Sequence, residues 1–139
     1  MAVAVAAALA WAWQGRPVGP GELLKGAAER TPPGPTRDGL LAALGLPAGA
    51  TIERAARVLG NGSKTTSPDT VPLAVWLAAR HLDDLPASLW AVVEAGGDVD
   101  TLGAMVGGVV ALHAPRTIPP AWLAAREPLA LEEGRAAAR

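Results

Sequence analysis

The chain contains no cysteine, no phenylalanine and no tyrosine, and its charges nearly cancel, with 12 Lys and Arg against 13 Asp and Glu. Without cysteine there are no disulfides, no thiolate metal sites and no cysteine nucleophile. A formal net charge of −1 offers no basic face to nucleic acid and no pull toward an anionic membrane surface. No apolar run reaches the ~20 residues of a membrane span. Met1–Trp13 is apolar but shorter than that. It has no basic stretch ahead of it, and Trp11-Ala12-Trp13 is not a small-residue cleavage site. Sustained alternation of Val, Ile and Thr is missing as well, so strands are not expected. These absences leave a soluble, cytoplasmic, all-α protein with neither nucleic acid nor membrane as its partner.

What is present supports helices. Half of the 139 residues are hydrophobic, mostly Ala, Val and Leu, which suits one domain with a modest core. The pattern predicts a first helix over Ala2–Gln14, stopped by Gly15 and Pro17, and a second over Gly21–Arg30. Thr31-Pro32-Pro33-Gly34-Pro35 reads as a loop. Thr36 then caps a helix through Leu44, and Thr51 caps another over Ile52–Leu59. A helix with Pro68 in its first turn runs to about His81, with Val71, Val75 and Ala78 inward. Asp83-Asp84 and Pro86 open the next helix, which turns Leu89, Val92 and Val93 to the core. Pro119-Pro120 starts a last short helix holding Trp122. Residues 1–126 form the domain, and 127–139 read as a charged, frayed tail.

The most informative stretch is Gly96-Gly97-Asp98-Val99-Asp100-Thr101, which opens onto the small-residue run Leu102–Leu112. In an extended approach to a helix, residues i and i+2 project the same way, so Asp98 and Asp100 can face one point. Thr101 adds an oxygen from the first turn. Three hard oxygen donors at a helix mouth suit Mg²⁺, Mn²⁺ or Ca²⁺ rather than zinc or copper. The alternative is an N-cap, in which the Asp98 carboxylate accepts from orphan N–H groups. Spacing leaves both open. An EF-hand is excluded, because Leu102 and Val109 stand where the fifth and last ligands belong. The small residues Gly103, Ala104, Gly107, Gly108 and Ala111 predict a central helix approached closely by its neighbours.

Weaker signals have ordinary explanations. Gly60-Asn61-Gly62-Ser63-Lys64-Thr65 is not a Walker A motif, since Ser63 precedes the lysine. It reads as a plain turn or as a ligand-facing loop with free N–H groups. His81 and His113 fall at helix ends, where the dipole accounts for them. Asp83-Asp84 is an N-cap rather than a carboxylate pair. The five tryptophans are read as core and rim packing.

Taken in order, several segments resemble the ADP-ribosylglycohydrolase family, which includes the dinitrogenase reductase-activating glycohydrolase. They are Leu59-Gly60-Asn61-Gly62, Asp69-Thr70-Val71-Pro72-Leu73-Ala74-Val75-Trp76, Ala87–Val92, Gly96–Thr101 with its small-residue helix, and Ile118-Pro119-Pro120-Ala121-Trp122-Leu123. Their order is similar to the C-terminal half of that family. The resemblance implies an all-α orthogonal helical bundle with two Mg²⁺ or Mn²⁺ ions in a cleft. It also implies hydrolysis of the glycosidic bond joining ADP-ribose to a protein side chain or small molecule. Asp98, Asp100 and Thr101 would be metal ligands, with Gly96, Gly97, Asn61 and Gly62 near the nucleotide. The ions would hold the ribose hydroxyls and the attacking water.

One departure is large. The family's N-terminal Gly-Asp segment and second acidic cluster have no counterpart before Asp98, and Asp83-Asp84 does not replace them. Three protein ligands do not hold two ions that each take about six oxygens. The expectation is therefore a truncated form that needs a separately encoded N-terminal half. Otherwise it is a non-catalytic helical binding or assembly module, and its unpartnered apolar faces favour a homo-oligomer.

Overall fold

A computed structural model describes residues 1–127. It places α1 at Ala2–Ala12, α2 at Pro20–Arg30, α3 at Pro35–Leu44, α4 at Ile52–Leu59, α5 at Ser67–Arg80, α6 at Leu85–Ala95, α7 at Val99–His113 and α8 at Pro120–Ala125. A short 3₁₀ turn, Pro115–Thr117, lies between the last two. No strand occurs among the described residues, and no helix there is long and apolar enough to cross a membrane. The fold class is all-α, as the composition requires. The tail beyond residue 127 lies outside the described residues.

Proline and short polar residues set the helix starts. Pro occupies one of the first two positions of α2, α3, α5, α6 and α8, where its missing N–H is an orphan anyway. Thr51 caps α4 by accepting from the Arg54 N–H at 3.2 Å. Asp84 caps α6 by accepting from the Ala87 N–H at 2.9 Å, so the cap reading of Asp83-Asp84 holds. Three boundaries differ from expectation. α1 stops at Ala12, because the chain turns through Trp13 toward Gly15, whose φ is +76°. α2 starts one residue early at Pro20, where Glu22 reaches back to accept from the Gly19 N–H at 3.0 Å. Thr36 does not cap α3; Gly34, with φ +149°, holds that position and Pro35 begins the helix.

α5 is the centre of the fold. Its residues Asp69 through Ala79 are all buried, and it packs against every helix from α1 to α7. A three-residue inward stripe understates it; a helix buried all round needs no polar face. Pro72 sits inside α5, and the bare Cα of Gly39 on α3 makes room for its ring.

α7 is less central than its composition suggests. It packs on α1, α5 and α6, yet Ala104, Gly108 and Leu112 are exposed. A Cβ at Gly103 or Gly108 would meet nothing within 4 Å, so these glycines are not forced by contacts among the described residues. On α6, Val92 is buried but Val93 is 54% exposed, which corrects its inward assignment: Ser88, Ala91, Val92 and Ala95 form the stripe. Of the tryptophans, Trp76 is buried and Trp13 packs partly buried against the core, whereas Trp11, Trp90 and Trp122 are exposed.

Both histidines do lie at helix C-termini. His113 is buried, with Nδ1 3.0 Å from the Ala10 carbonyl and Nε2 3.3 Å from the Asp83 carboxylate. It therefore ties α1 and the α5–α6 turn to the end of α7.

Candidate functional site

Two glycine-bearing loops meet at the mouth of α7. One, Gly60–Thr66, joins α4 to α5; the other, Gly96–Asp98, joins α6 to α7. The Asp98 N–H donates to the Asn61 carbonyl at 2.9 Å. Gly97 has φ +73°, and a Cβ there would overlap the Asn61 backbone and side chain. Gly62 has φ +87°, and its Cβ would come within 2.7 Å of the Asp98 Cβ. Left-handed backbone and close approach together require glycine at these two positions.

The first loop is anchored on α5. Asp69 is buried, and its Oδ2 accepts from the Lys64 N–H at 2.9 Å. Its carbonyl accepts from the Gly62 N–H at 2.9 Å. Thr70 Oγ1 donates to the Thr66 carbonyl at 3.0 Å. Lys64 Nζ lies 3.8 Å from Asp69 Oδ1 but is 80% exposed, so that ion pair adds little in water. The backbone bonds hold the loop.

A cleft of about 280 Å³ opens beside this junction, lined by Thr65, Thr66, Ser67, Thr70, Asp98, Thr101 and Met105. Asp98 caps α7: its Oδ1 accepts from the Thr101 N–H at 3.2 Å. Asp98 and Thr101 therefore come together as the sequence implied. Asp100, on the first turn of α7, is exposed and does not line the cleft. Asn61, Gly62, Gly96 and Gly97 shape the loop junction beside it without lining it.

Sequence reasoning missed the hydroxyls of Thr65, Thr66, Ser67 and Thr70. No local pattern marks them; in the structure Thr65 carries φ +53°, an uncommon value for a non-glycine residue. Asp98 is the single carboxylate lining the cleft. Among the described residues no group of three or more His, Cys, Asp or Glu is placed to hold a metal ion.

The chain thus falls in the class of all-helical proteins with an acidic, hydroxyl-lined helix mouth. The family model described as ADP-ribosylglycohydrolase matches residues 1–138, and the chain belongs to that family. No curated protein and no solved structure matches it.

Proposed function

We propose that this chain supplies one side of a metal-dependent site that hydrolyses ADP-ribosyl glycosidic bonds, and that residues outside this sequence supply the other. Membership of the family supports the reaction class. The observation that carries the reading is the cleft itself. There the Asp98 carboxylate stands with the hydroxyl-bearing residues Thr70 and Thr101, all hard oxygen donors of the kind Mg²⁺ and Mn²⁺ take. The pair of ions that the family implies does not fit these residues alone. One carboxylate, already engaged as a cap, and a few neutral hydroxyls fall well short of about six oxygens per ion.

What the chain's own residues offer is positional. Asp98 and Thr101 present oxygens at the positive end of α7, with Asp100 beside them on the same turn. Gly97 and Gly62 bring the two loops close enough to fix Asp98. The Asn61 carbonyl accepts the Asp98 N–H and fixes the backbone there, while the Thr101 N–H holds the carboxylate. The substrate in this reading is an ADP-ribosylated protein or small molecule, approaching from the cleft side.

The exposed positions Ala4, Ala8 and Trp11 of α1 and Ala104, Gly108 and Leu112 of α7 leave uncharged stripes that a complementing half or a second copy would cover. A non-catalytic binding or assembly module is the competing reading. It is favoured by the completeness of the Asp98 cap, which accounts for one carboxylate oxygen without any ion.

The test is release of ADP-ribose from an ADP-ribosylated peptide in millimolar Mg²⁺. The chain is assayed alone and mixed with the N-terminal half of a full-length family member. Release from the mixture, lost on Asp98→Asn, is the expected result. No release from the mixture, with both components folded, favours the non-catalytic module.

A further inference from the structure

A second cavity lies at the opposite end of α5 from the Asp98 cleft. It has a volume of about 500 Å³ and sits among the start of α2, the end of α3 with the loop after it, and the end of α5. That volume is within the range of small-molecule sites, ~300–1,000 Å³. From Thr70 to Arg80 the rise along α5 is roughly 15 Å at 1.5 Å per residue. The two sites therefore share one rigid helix without sharing a residue.

The lining is apolar with one convergent polar corner. Leu24, Leu44 and Leu46 form the wall, and Trp76, Arg80 and His81 form the corner. Arg80 is the single formally charged lining residue, and no carboxylate lines the cavity. Glu22, in the first turn of α2, is held by Arg16 at 2.7 Å. The Arg80 guanidinium stacks over the Trp76 ring with its carbon 4.7 Å from the centroid. Its Nη1 donates to the Ala48 carbonyl at 2.8 Å. Stacking and this bond fix the plane of the guanidinium while leaving other N–H groups of its fork to donate, the geometry that suits a carboxylate. The same stacking covers a face of Trp76, so a ligand's flat ring is better received by the leucines than by the indole.

We propose that this cavity binds a small organic carboxylate with an aromatic or branched aliphatic body. Arg80 takes the carboxylate, and Leu24, Leu44 and Leu46 receive the body. His81 sits at the same corner, and its pKa is lowered by burial and then by the charge of Arg80, against the opposing pull of Asp84 and Glu94. A neutral imidazole there does not compete for the anion, and a carboxylate arriving beside it draws the His81 pKa upward.

The probe is 3-phenylpropionate, titrated into the ¹⁵N-labelled protein and followed by NMR, with 3-phenylpropanamide and inorganic phosphate as comparisons. Saturable shifts at the Trp76 indole and around Arg80 and His81 are expected, with the amide and phosphate each at least ten-fold weaker. The His81 pKa, followed by NMR pH titration, is expected to rise when the carboxylate is bound. Arg80→Gln is expected to weaken binding at least ten-fold. Because that change also removes the bond to Ala48, a second variant is needed. Gly21 lines the cavity, and a Cβ there meets nothing within 4 Å. Gly21→Leu therefore adds bulk at a lining position where the first added carbon meets no clash, and is expected to weaken binding in a folded protein. The proposal is overturned by absence of saturable shifts, by equal affinity for the amide or phosphate, or by undiminished binding to Gly21→Leu.

Discussion

The backbone N–H of Asp98 donates to the carbonyl of Asn61 at 2.9 Å, joining two loops across 37 positions of the chain. Glycine makes that approach possible on both sides. Gly62→Ala forces a Cβ to within 2.7 Å of the Asp98 Cβ at a φ of +87°. Gly97→Ala meets Asn61 itself at a φ of +73°. Each is expected to destabilise by about 1–3 kcal/mol, the range for a residue held in a strained backbone region. Urea unfolding measures it. Gly21→Ala, at a position without positive φ and with open space around it, serves as the control and is expected to leave stability unchanged or raise it.

The two roles of Asp98 separate by substitution. As a cap, Asp and Asn are about equal, whereas Ala costs about 1 kcal/mol. In metal-free buffer Asp98→Asn is therefore expected to melt close to the wild type and Asp98→Ala several degrees lower. Differential scanning calorimetry reads both. Equal melting of all three proteins would show that the Oδ1 bond to the Thr101 N–H contributes nothing to stability.

The helices were largely legible because their stops are covalent. Gly15, Gly45, Gly60 and the prolines at helix starts act within a few residues, which is the range over which sequence reading works. The Asp98–Thr101 mouth was legible for the same reason, since cap and first-turn oxygens are neighbours in the chain. Thr65, Thr66 and Thr70 were not recognised, because their relation to Asp98 depends on how the Asn61 loop docks on α7, and nothing local encodes that. Burial of α5 on every side and exposure of Val93 and Trp90 were hidden for a related reason. Both follow from how many neighbours each helix finds, and periodicity records only which way it leans.

His81 gives stability a pH dependence of known sign. Its folded pKa lies below the ordinary 6.5, chiefly through burial, so the unfolded chain binds the proton more readily. Above about pH 6.5 His81 is neutral in both states and contributes nothing. As pH falls below that value, stability is lost, and the loss levels off once the folded pKa is passed. The difference between wild type and His81→Gln in urea unfolding from pH 8 to pH 5 isolates this limb. It is expected to be flat above 6.5 and to fall below it.

The open side of α7 can be probed through its glycines. Gly108→Ala adds a methyl group where nothing lies within 4 Å and replaces a poor helix former. The isolated chain is expected to gain about 0.5–1 kcal/mol. Light scattering is expected to find the wild type larger than a monomer, since the α1 and α7 stripes are uncharged and exposed. Gly108→Glu, which places a charge in that stripe, is expected to reduce that association while leaving the chain folded. A monodisperse wild-type monomer would remove the case for a covered face.

The most direct measurement is calorimetric melting with and without millimolar Mg²⁺ or Mn²⁺, on wild type, Asp98→Asn and the double variant Asp98→Ala with Asp100→Ala. A cation that binds the folded state raises the melting temperature by mass action, with about 1.4 kcal/mol gained at ten times the dissociation constant. The expected result is a rise of a few degrees in the wild type that disappears in both variants, including Asp98→Asn, whose cap is intact. Identical melting of the wild type with and without either metal would contradict a cation site at Asp98 and leave that residue as the cap of α7 alone.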